Sequence, residues 1–421
     1  MANTLTYANA ANFVSQTWSR KVRSVVPENL LLQRTFPFTK QSTDLSGKYN
    51  IVIDSFWPQG GTPAAAGSDG ALNSSIVDPP ALASVDSPAF TMRYTLTLEM
   101  IKRMANERQV QGIVQQRMVN LKKSHESYNE FMTIYGSDPN GFGTVAAVVG
   151  DVIRITDAEF AAGNFADRGN AIFDVYNGAA FTGQSVTLRG LTKSNVTPRQ
   201  LTLATGDGAK VAVGNILRYR GAVPLTTEPL GIKRILTETT TLFGVDIATN
   251  PSYQGTRVNV AGPLTFDAWY ASLIKVGNFN FDGDCIGLMN PLGFGDMVRQ
   301  IEGARTFGGN QFNSTLMKRG LQMLQIIGPK GMVELYGHPK MKEGDACILK
   351  LDTWESPGVC GVELLKSGLE AQGIGPLWQI PSSNSMEIKT YSQKSTFCGD
   401  PQSNLMITGI VNSAAISIGA V

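Results

Sequence analysis

Residues 99–133 read EMIKRMANERQVQGIVQQRMVNLKKSHESYNEFMT, with no proline and one glycine, Gly112. Apolar side chains recur at Met100, Met104, Val114, Met118, Leu121, Tyr128 and Met132. That is the i, i+3, i+4, i+7 spacing of one buried helix stripe. It predicts a helix from about Glu99 to Thr133 that stops near Gly136, where Ser137-Asp138-Pro139-Asn140-Gly141 forms a turn cluster. At 1.5 Å per residue the helix would span about 50 Å, longer than most globular helices. A beam of that length in a β-rich chain implies a broad, flat molecule and a structural role.

Upstream, Lys48–Ile53 and Phe90–Leu98 alternate with the two-residue period of strands. Between them, residues 58–88 are rich in Gly, Pro, Ala and Ser and lack the apolar content for a core of their own. A connection this long is unusual inside a compact domain. It is either flexible or ordered by contacts with another chain. Residues 1–40 form an arm, with a short amphipathic helix expected near Asn9–Val22 and Phe13 and Trp18 as its apolar anchors.

Downstream, residues 143–229 are β-dominated. Strand-like runs at Ala171–Tyr176, Ser185–Leu188, Gln200–Leu203 and Asn215–Tyr219 are separated by turn signals such as Asn177-Gly178 and Gly206-Asp207-Gly208. The pattern predicts a small barrel or sandwich-like insert. Leu264–Val276 then reads as a helix with Thr265 as N-cap and Gly277 at its end. Cys285–Met289 reads as a short buried strand, and a second helix is expected from Pro291 to Ile301. Residues 320–421 return to short strands and close on the apolar run Asn404–Val411. No internal repeat is evident.

The chain has 421 residues, enough for two or three domains and a sizeable core without staples. Charged residues make up 17%, with 44 Gly and 20 Pro; such low charge suits a protein that covers its surface with copies of itself, and a loop-rich monomeric enzyme fits the same numbers almost as well. The net charge of +2 gives no strong field toward nucleic acid. Cys285, Cys347, Cys360 and Cys398 form no C-x-x-C pair and read as reduced thiols. The N-terminus lacks the charged-then-apolar pattern of a signal peptide, and no apolar run approaches the roughly 20 residues needed to span a bilayer.

No catalytic constellation emerges. His125 and His338 are the only histidines. His125 falls near the end of the long helix, where dipole and solvent would satisfy it, and His338 falls in a turn-like Tyr336-Gly337-His338-Pro339-Lys340. Neither belongs to a triad or a metal spacing. Gly308-Gly309-Asn310 lacks the residues that complete a phosphate cradle. Asp282-Gly283-Asp284 lacks the remaining positions of a calcium loop. Both read as loops, so no catalytic, cofactor-binding or metal residue is expected. Arg20, Lys21 and Arg23, and along the helix Lys102, Arg103, Arg108, Arg117, Lys122 and Lys123, read as a solvated face. Salt bridges to neighbouring subunits and loose phosphate contacts are the alternatives.

The order of parts resembles the major capsid proteins of tailed bacteriophages with the Hong Kong 97-like fold. Local stretches add to the resemblance: Leu230–Leu236, then Leu242-Phe243-Gly244-Val245-Asp246 and Ala248-Thr249-Asn250-Pro251, then Met289-Asn290-Pro291, with Phe165–Asn170 at the edge of the insert. The resemblance implies an α+β fold made of an N-terminal arm (1–40), an extended β-hairpin loop reaching over a neighbour (41–98) and the spine helix of a peripheral domain (99–142). A β-rich insertion domain (143–229), an axial domain (230–325) and a peripheral-domain return (326–421) complete it.

The resemblance further implies a non-catalytic head protein without cofactors. It would assemble into homo-hexamers and homo-pentamers of an icosahedral shell around double-stranded DNA, contacted non-specifically. Its other partners would be a portal, a separate scaffolding protein and a decoration protein, with assembly in the host cytoplasm, residence in the virion and no membrane partner. Two departures stand out. The arm reaches the loop within about 40 residues, leaving no room for a long scaffolding segment, and the loop holds Lys48 but little else basic, so Lys–Asn cross-linking is not expected. An encapsulin-like shell enclosing cargo enzymes is the first alternative, and a non-shell β-rich hydrolase or binding module the second. The long loop and separate insert favour the viral reading.

Overall fold

The computed structural model describes residues 31–40, 48–53, 81–97, 107–166, 168–191, 199–224, 226–279, 281, 285–304, 323–328, 331–365, 377–379 and 385–412. The expected helix at Asn9–Val22, the tip of the long loop, the helix start at 99–106, Asp282–Asp284 and Gly308–Asn310 lie outside these residues.

The arm enters as a short helix α1 (Leu31–Thr35) and strand β1 (Phe38–Lys40). Strands β2 (Lys48–Ile53), β3 (Ala81–Asp86) and β4 (Ala89–Thr97) precede the long helix α2 (Glu107–Tyr135). The predicted stripe holds at the C-terminal end of α2, where Tyr128 and Met132 are buried with Phe131, Ile134 and Tyr135. Asn129, Glu130 and Thr133 are buried too, so the last two turns are enclosed on all sides. The helix ends at the expected glycine. The Gly231 amide donates to the Gly136 carbonyl at 2.9 Å; a Cβ on Gly136 would strike the Pro229 carbonyl, and one on Gly231 the Gly136 amide.

Six strands follow: β5 (Gly143–Val149), β6 (Val152–Ile155), β7 (Ile172–Asn177), β8 (Ala180–Leu191), β9 (Gln200–Leu203) and β10 (Ile216–Tyr219). They close into a barrel in the order β10-β5-β6-β9-β8-β7. Alternate residues point inward, including Ile153, Ile155, Phe173, Val175, Val186, Leu188, Leu201 and Leu203.

Beyond the barrel come α3 (Ile232–Thr237), a tight hairpin of β11 (Thr241–Leu242) and β12 (Val245–Asp246), β13 (Thr256–Gly262), α4 (Phe266–Gly277), β14 (Cys285–Met289) and α5 (Pro291–Ala304). Thr265 caps α4 as its sequence predicts, its hydroxyl accepting from Ala268 N at 3.1 Å. The C-terminal part contributes β15 (Met323–Gly328), β16 (Gly331–Gly337), β17 (Ala346–Lys350), β18 (Trp354–Leu364), β19 (Leu377–Gln379), β20 (Ser385–Lys394), β21 (Phe397–Cys398) and β22 (Leu405–Ile410).

Two further sheets complete the fold. In one, the order is β13-β22-β17-β14-β16-β15. Its central strands β14 and β17 are buried throughout, as continuous apolar runs require when both faces are covered. One face packs on Trp269, Leu273 and Val276 of α4 and on Phe294 and Met297 of α5. The other carries Ile286, Leu288, Cys347, Leu349 and Met406 into the core shared with α2 and the barrel. Gly287 leaves space on β14 for the Trp269 indole. The second sheet runs β1-β18-β20-β19, with β4 on β20 and β21 on β18, and α2 packs against it.

Two expectations change. Strand β2 does not pair with the Phe90–Leu98 run. Its partner is β3, from Lys48↔Asp86 to Ile53↔Ala81, while β4 pairs with β20. Residues 81–86 lie inside the stretch read as coreless, yet Ala83 and Val85 are fully buried. The two-residue period was there, carried by small side chains. The boundary between 325 and 326 also runs through a sheet, because β13 and β14 from one side bond to β16, β17 and β22 from the other.

Candidate functional site

The segment His338-Pro339-Lys340-Met341-Lys342-Glu343-Gly344-Asp345 joins β16 to β17. It is the most heavily charged stretch of buried backbone among the described residues, with His338, Lys340, Lys342, Glu343 and Asp345 all buried. Each one engages a residue far away in sequence. His338 Nε2 lies 3.3 Å from Glu130 Oε1 on α2. Lys340 Nζ donates to Ser127 Oγ at 2.9 Å. Lys342 Nζ donates to Asp138 Oδ2 at 2.8 Å, just past the end of α2. Glu343 accepts from Arg199 Nε and Nη2, the latter at 2.7 Å, at the start of β9. Asp345 accepts from Lys233 Nζ on α3 at 2.8 Å.

The charges form a chain. Lys233 also lies 3.8 Å from Asp138, and both Lys342 and Lys233 sit over the Tyr135 ring. Burial alone would raise the Asp138 carboxyl, but Lys342 and Lys233 hold it below its ordinary range. Burial likewise works against the Lys233 ammonium, and Asp345 with Asp138 reverses this to about 12. Glu130 is held low against burial by His338 and by the Leu32 amide. At Glu343 burial prevails over Arg199 and raises the carboxyl. Glu130, Asp138, Lys342, Glu343 and Asp345 are thus each met by a basic or acidic side chain from another element of the same chain.

Glu130 also ties down the arm. Its two carboxylate oxygens accept from Leu32 N at 2.8 Å and Gln33 N at 3.1 Å. A five-residue helix does not stand alone. Leu32 is buried, Phe36 stacks on Trp354 at 5.4 Å, and β1 adds in parallel to β18.

The structure places His125 differently from the sequence reading. It is fully buried, with Nδ1 2.9 Å from Thr390 Oγ1 and Nε2 2.7 Å from Ser392 Oγ, so two hydroxyls of β20 satisfy it and solvent does not. His338 is likewise buried. Along α2, Arg117 lies over the Tyr94 ring at 5.4 Å and Lys122 lies 3.8 Å from Glu126, both within the chain. None of the four cysteines is in a disulfide. Among the described residues no group of three or more His, Cys, Asp or Glu is placed to hold a metal.

Two outward surfaces remain. The inner face of the β2–β3 hairpin sits on the core, with Tyr49 edge-on to Phe397 and Ser84 N bonded to Phe243 O. Its outer face presents Val52 and Leu82, directly opposite each other and 62% and 58% exposed. On α4, Phe266, Tyr270 and Ile274 are exposed at one residue per turn.

No family model matches the sequence, and no curated protein matches it. Solved structures do. The capsid asymmetric unit of cyanophage A-1(L) aligns with 97% of this chain and 99% of its own, at 11% identity and a TM-score of 0.54. The capsid of a native GTA particle aligns with 98% and 100%, at 8% identity and a TM-score of 0.50. The holo-SrpI encapsulin complex from Synechococcus elongatus PCC 7942 aligns with 97% of each chain, at 9% identity and a TM-score of 0.42. Mixed helix and sheet in this arrangement, from the latched arm to the last strand, give the chain the fold of phage capsid subunits.

Proposed function

We propose that the chain is the major capsid protein of a tailed bacteriophage, assembling into hexamers and pentamers of an icosahedral shell around packaged double-stranded DNA. The observation that carries this reading is the capsid-subunit fold across nearly the whole chain. On this reading α2 is the spine of the peripheral domain, with the sheet of β1, β4, β18 and β20 beside it. The barrel is the insertion domain. The axial domain comprises α4, α5 and their sheet, and so takes in β16, β17 and β22. The hairpin of β2 and β3 is the base of the loop that reaches a neighbour. Its inner face is fixed to its own subunit, and its outer face presents Val52 and Leu82 for the contact. Burying two exposed aliphatic side chains at many symmetry-related sites favours assembly. Catalysis has no place in this role.

Electron microscopy of particles purified from cells making the chain, with extraction of their contents, tests the reading. Closed shells that fill with double-stranded DNA support it. Shells enclosing protein cargo would reassign the chain to an encapsulin-like compartment. A monomer at all concentrations would refute both.

A further inference from the structure

His125 sits in a hydrogen-bond chain that runs in one direction. The Asn129 amide nitrogen can only donate, and it donates to Ser392 Oγ at 3.1 Å. The Ser392 hydroxyl, 2.7 Å from His125 Nε2, still has its own hydrogen to give. On the other side, Thr390 Oγ1 donates to the Met92 carbonyl at 3.5 Å and so accepts from His125 Nδ1 at 2.9 Å. A neutral ring in this setting carries its proton on Nδ1 and accepts the Ser392 hydroxyl at Nε2. The chain links α2 to β20 and, through Met92, to β4.

We infer that the seam between α2 and strands β4 and β20 is an acid-sensitive joint with His125 as its trigger. A proton added at Nε2 turns that nitrogen into a donor facing a hydroxyl hydrogen. Ser392 must then swing its hydrogen away while still receiving Asn129, and one link of the chain reverses. The surroundings do not accommodate the new charge. The Phe90 ring lies perpendicular to the imidazole, with 4.9 Å between centroids. The charged group of β20 facing it is the Lys394 ammonium, and the carboxylates of α2 nearby, Glu126 and Glu130, act on Lys394. Burial first, and Lys394 second, lower the ring to about 4 from an ordinary 6.5. The same seam is incompletely filled. Two cavities of about 20 Å³ each, room for about one water apiece, border it, both lined in part by Asn129, Met132 and Lys394.

The sign follows from the lowered value. Above about 6.5 neither the folded nor the unfolded chain binds this proton, and stability is complete. As pH falls from 6.5 toward 4, the unfolded chain takes a proton that the folded ring refuses, and stability is lost. The unfolding equilibrium constant gains up to about tenfold per pH unit from this one group.

Denaturant unfolding of the full-length chain between pH 7 and 4.5 tests the inference, with His125→Gln and Lys394→Met beside the parent. The parent should lose stability toward low pH more steeply than His125→Gln. In Lys394→Met the loss should level off at a higher pH, because the ring regains proton affinity. Parallel profiles for parent and His125→Gln would overturn the inference. Where His125→Gln does not fold, the 15N spectrum of the histidine-labelled parent decides. The chain has two histidines, so the signals are few. A neutral Nδ1–H ring at pH 5.5 supports the joint, and an imidazolium or an Nε2–H ring there overturns it. These readouts do not depend on whether the chain builds shells.

Discussion

The barrel and the β2–β3 hairpin are both antiparallel, both alternate with period two, and both rest on the same core. They differ in what is left open. The barrel closes on itself, so each strand has a neighbour on both sides. Its aromatic interior runs into the helix where Phe142 stacks on Phe131 at 3.9 Å, and through Phe142 to Phe173. The hairpin has two strands and one buried face. Two strands alone are marginal in water, and this pair is held by Ala83, Val85 and Tyr49 against the body while Val52 and Leu82 face out. The same local pattern gives one region that closes on itself and another that leaves one face open to solvent.

Substitutions can break or sharpen this contrast. Phe142→Ala should have the largest effect, about 3–5 kcal/mol of stability in denaturant unfolding, because it empties a buried aromatic site at the weld between barrel and helix. Barrel and helix should unfold together; separate transitions would show that the barrel stands apart. Lys342→Met should cost about 3–5 kcal/mol as well, near the lower end, since it strands Asp138 with only the more distant Lys233. On the buried face of the hairpin, Val85→Ala should cost about 1.5 kcal/mol for the carbons withdrawn from the core. On its open face, Val52→Lys with Leu82→Glu, opposite charges across the strand pair, should change subunit stability by less than about 0.5 kcal/mol. The same pair should abolish particle formation by sedimentation. Normal particles from that double variant would remove the hairpin from the interface.

Local signals were legible in the sequence where a single residue type decides the backbone. Gly136 ends the long helix, Thr265 caps α4, and Cys285–Met289 is a buried strand as its apolar run implies. The barrel strands from Ile172 to Tyr219 followed from alternation and turn residues. What escaped was set by distant partners. Residues 338–345 look like an exposed charged turn, because nothing local says that each charge meets an opposite one or a polar partner from Ser127, Glu130, Asp138, Arg199 or Lys233. Strand β3 was hidden because Ala and Ser alternate as faithfully as Val and Thr but carry little hydrophobic signal. His125 was misplaced because a helix face does not reveal which sheet will cover it.

The most direct test of the central claim is the size of the assembled full-length chain, read by sedimentation and electron microscopy of the same preparation. Closed hollow shells of uniform diameter, in equilibrium with rings or free subunits, are predicted. A folded monomer that stays monomeric at every concentration and salt condition would contradict the account.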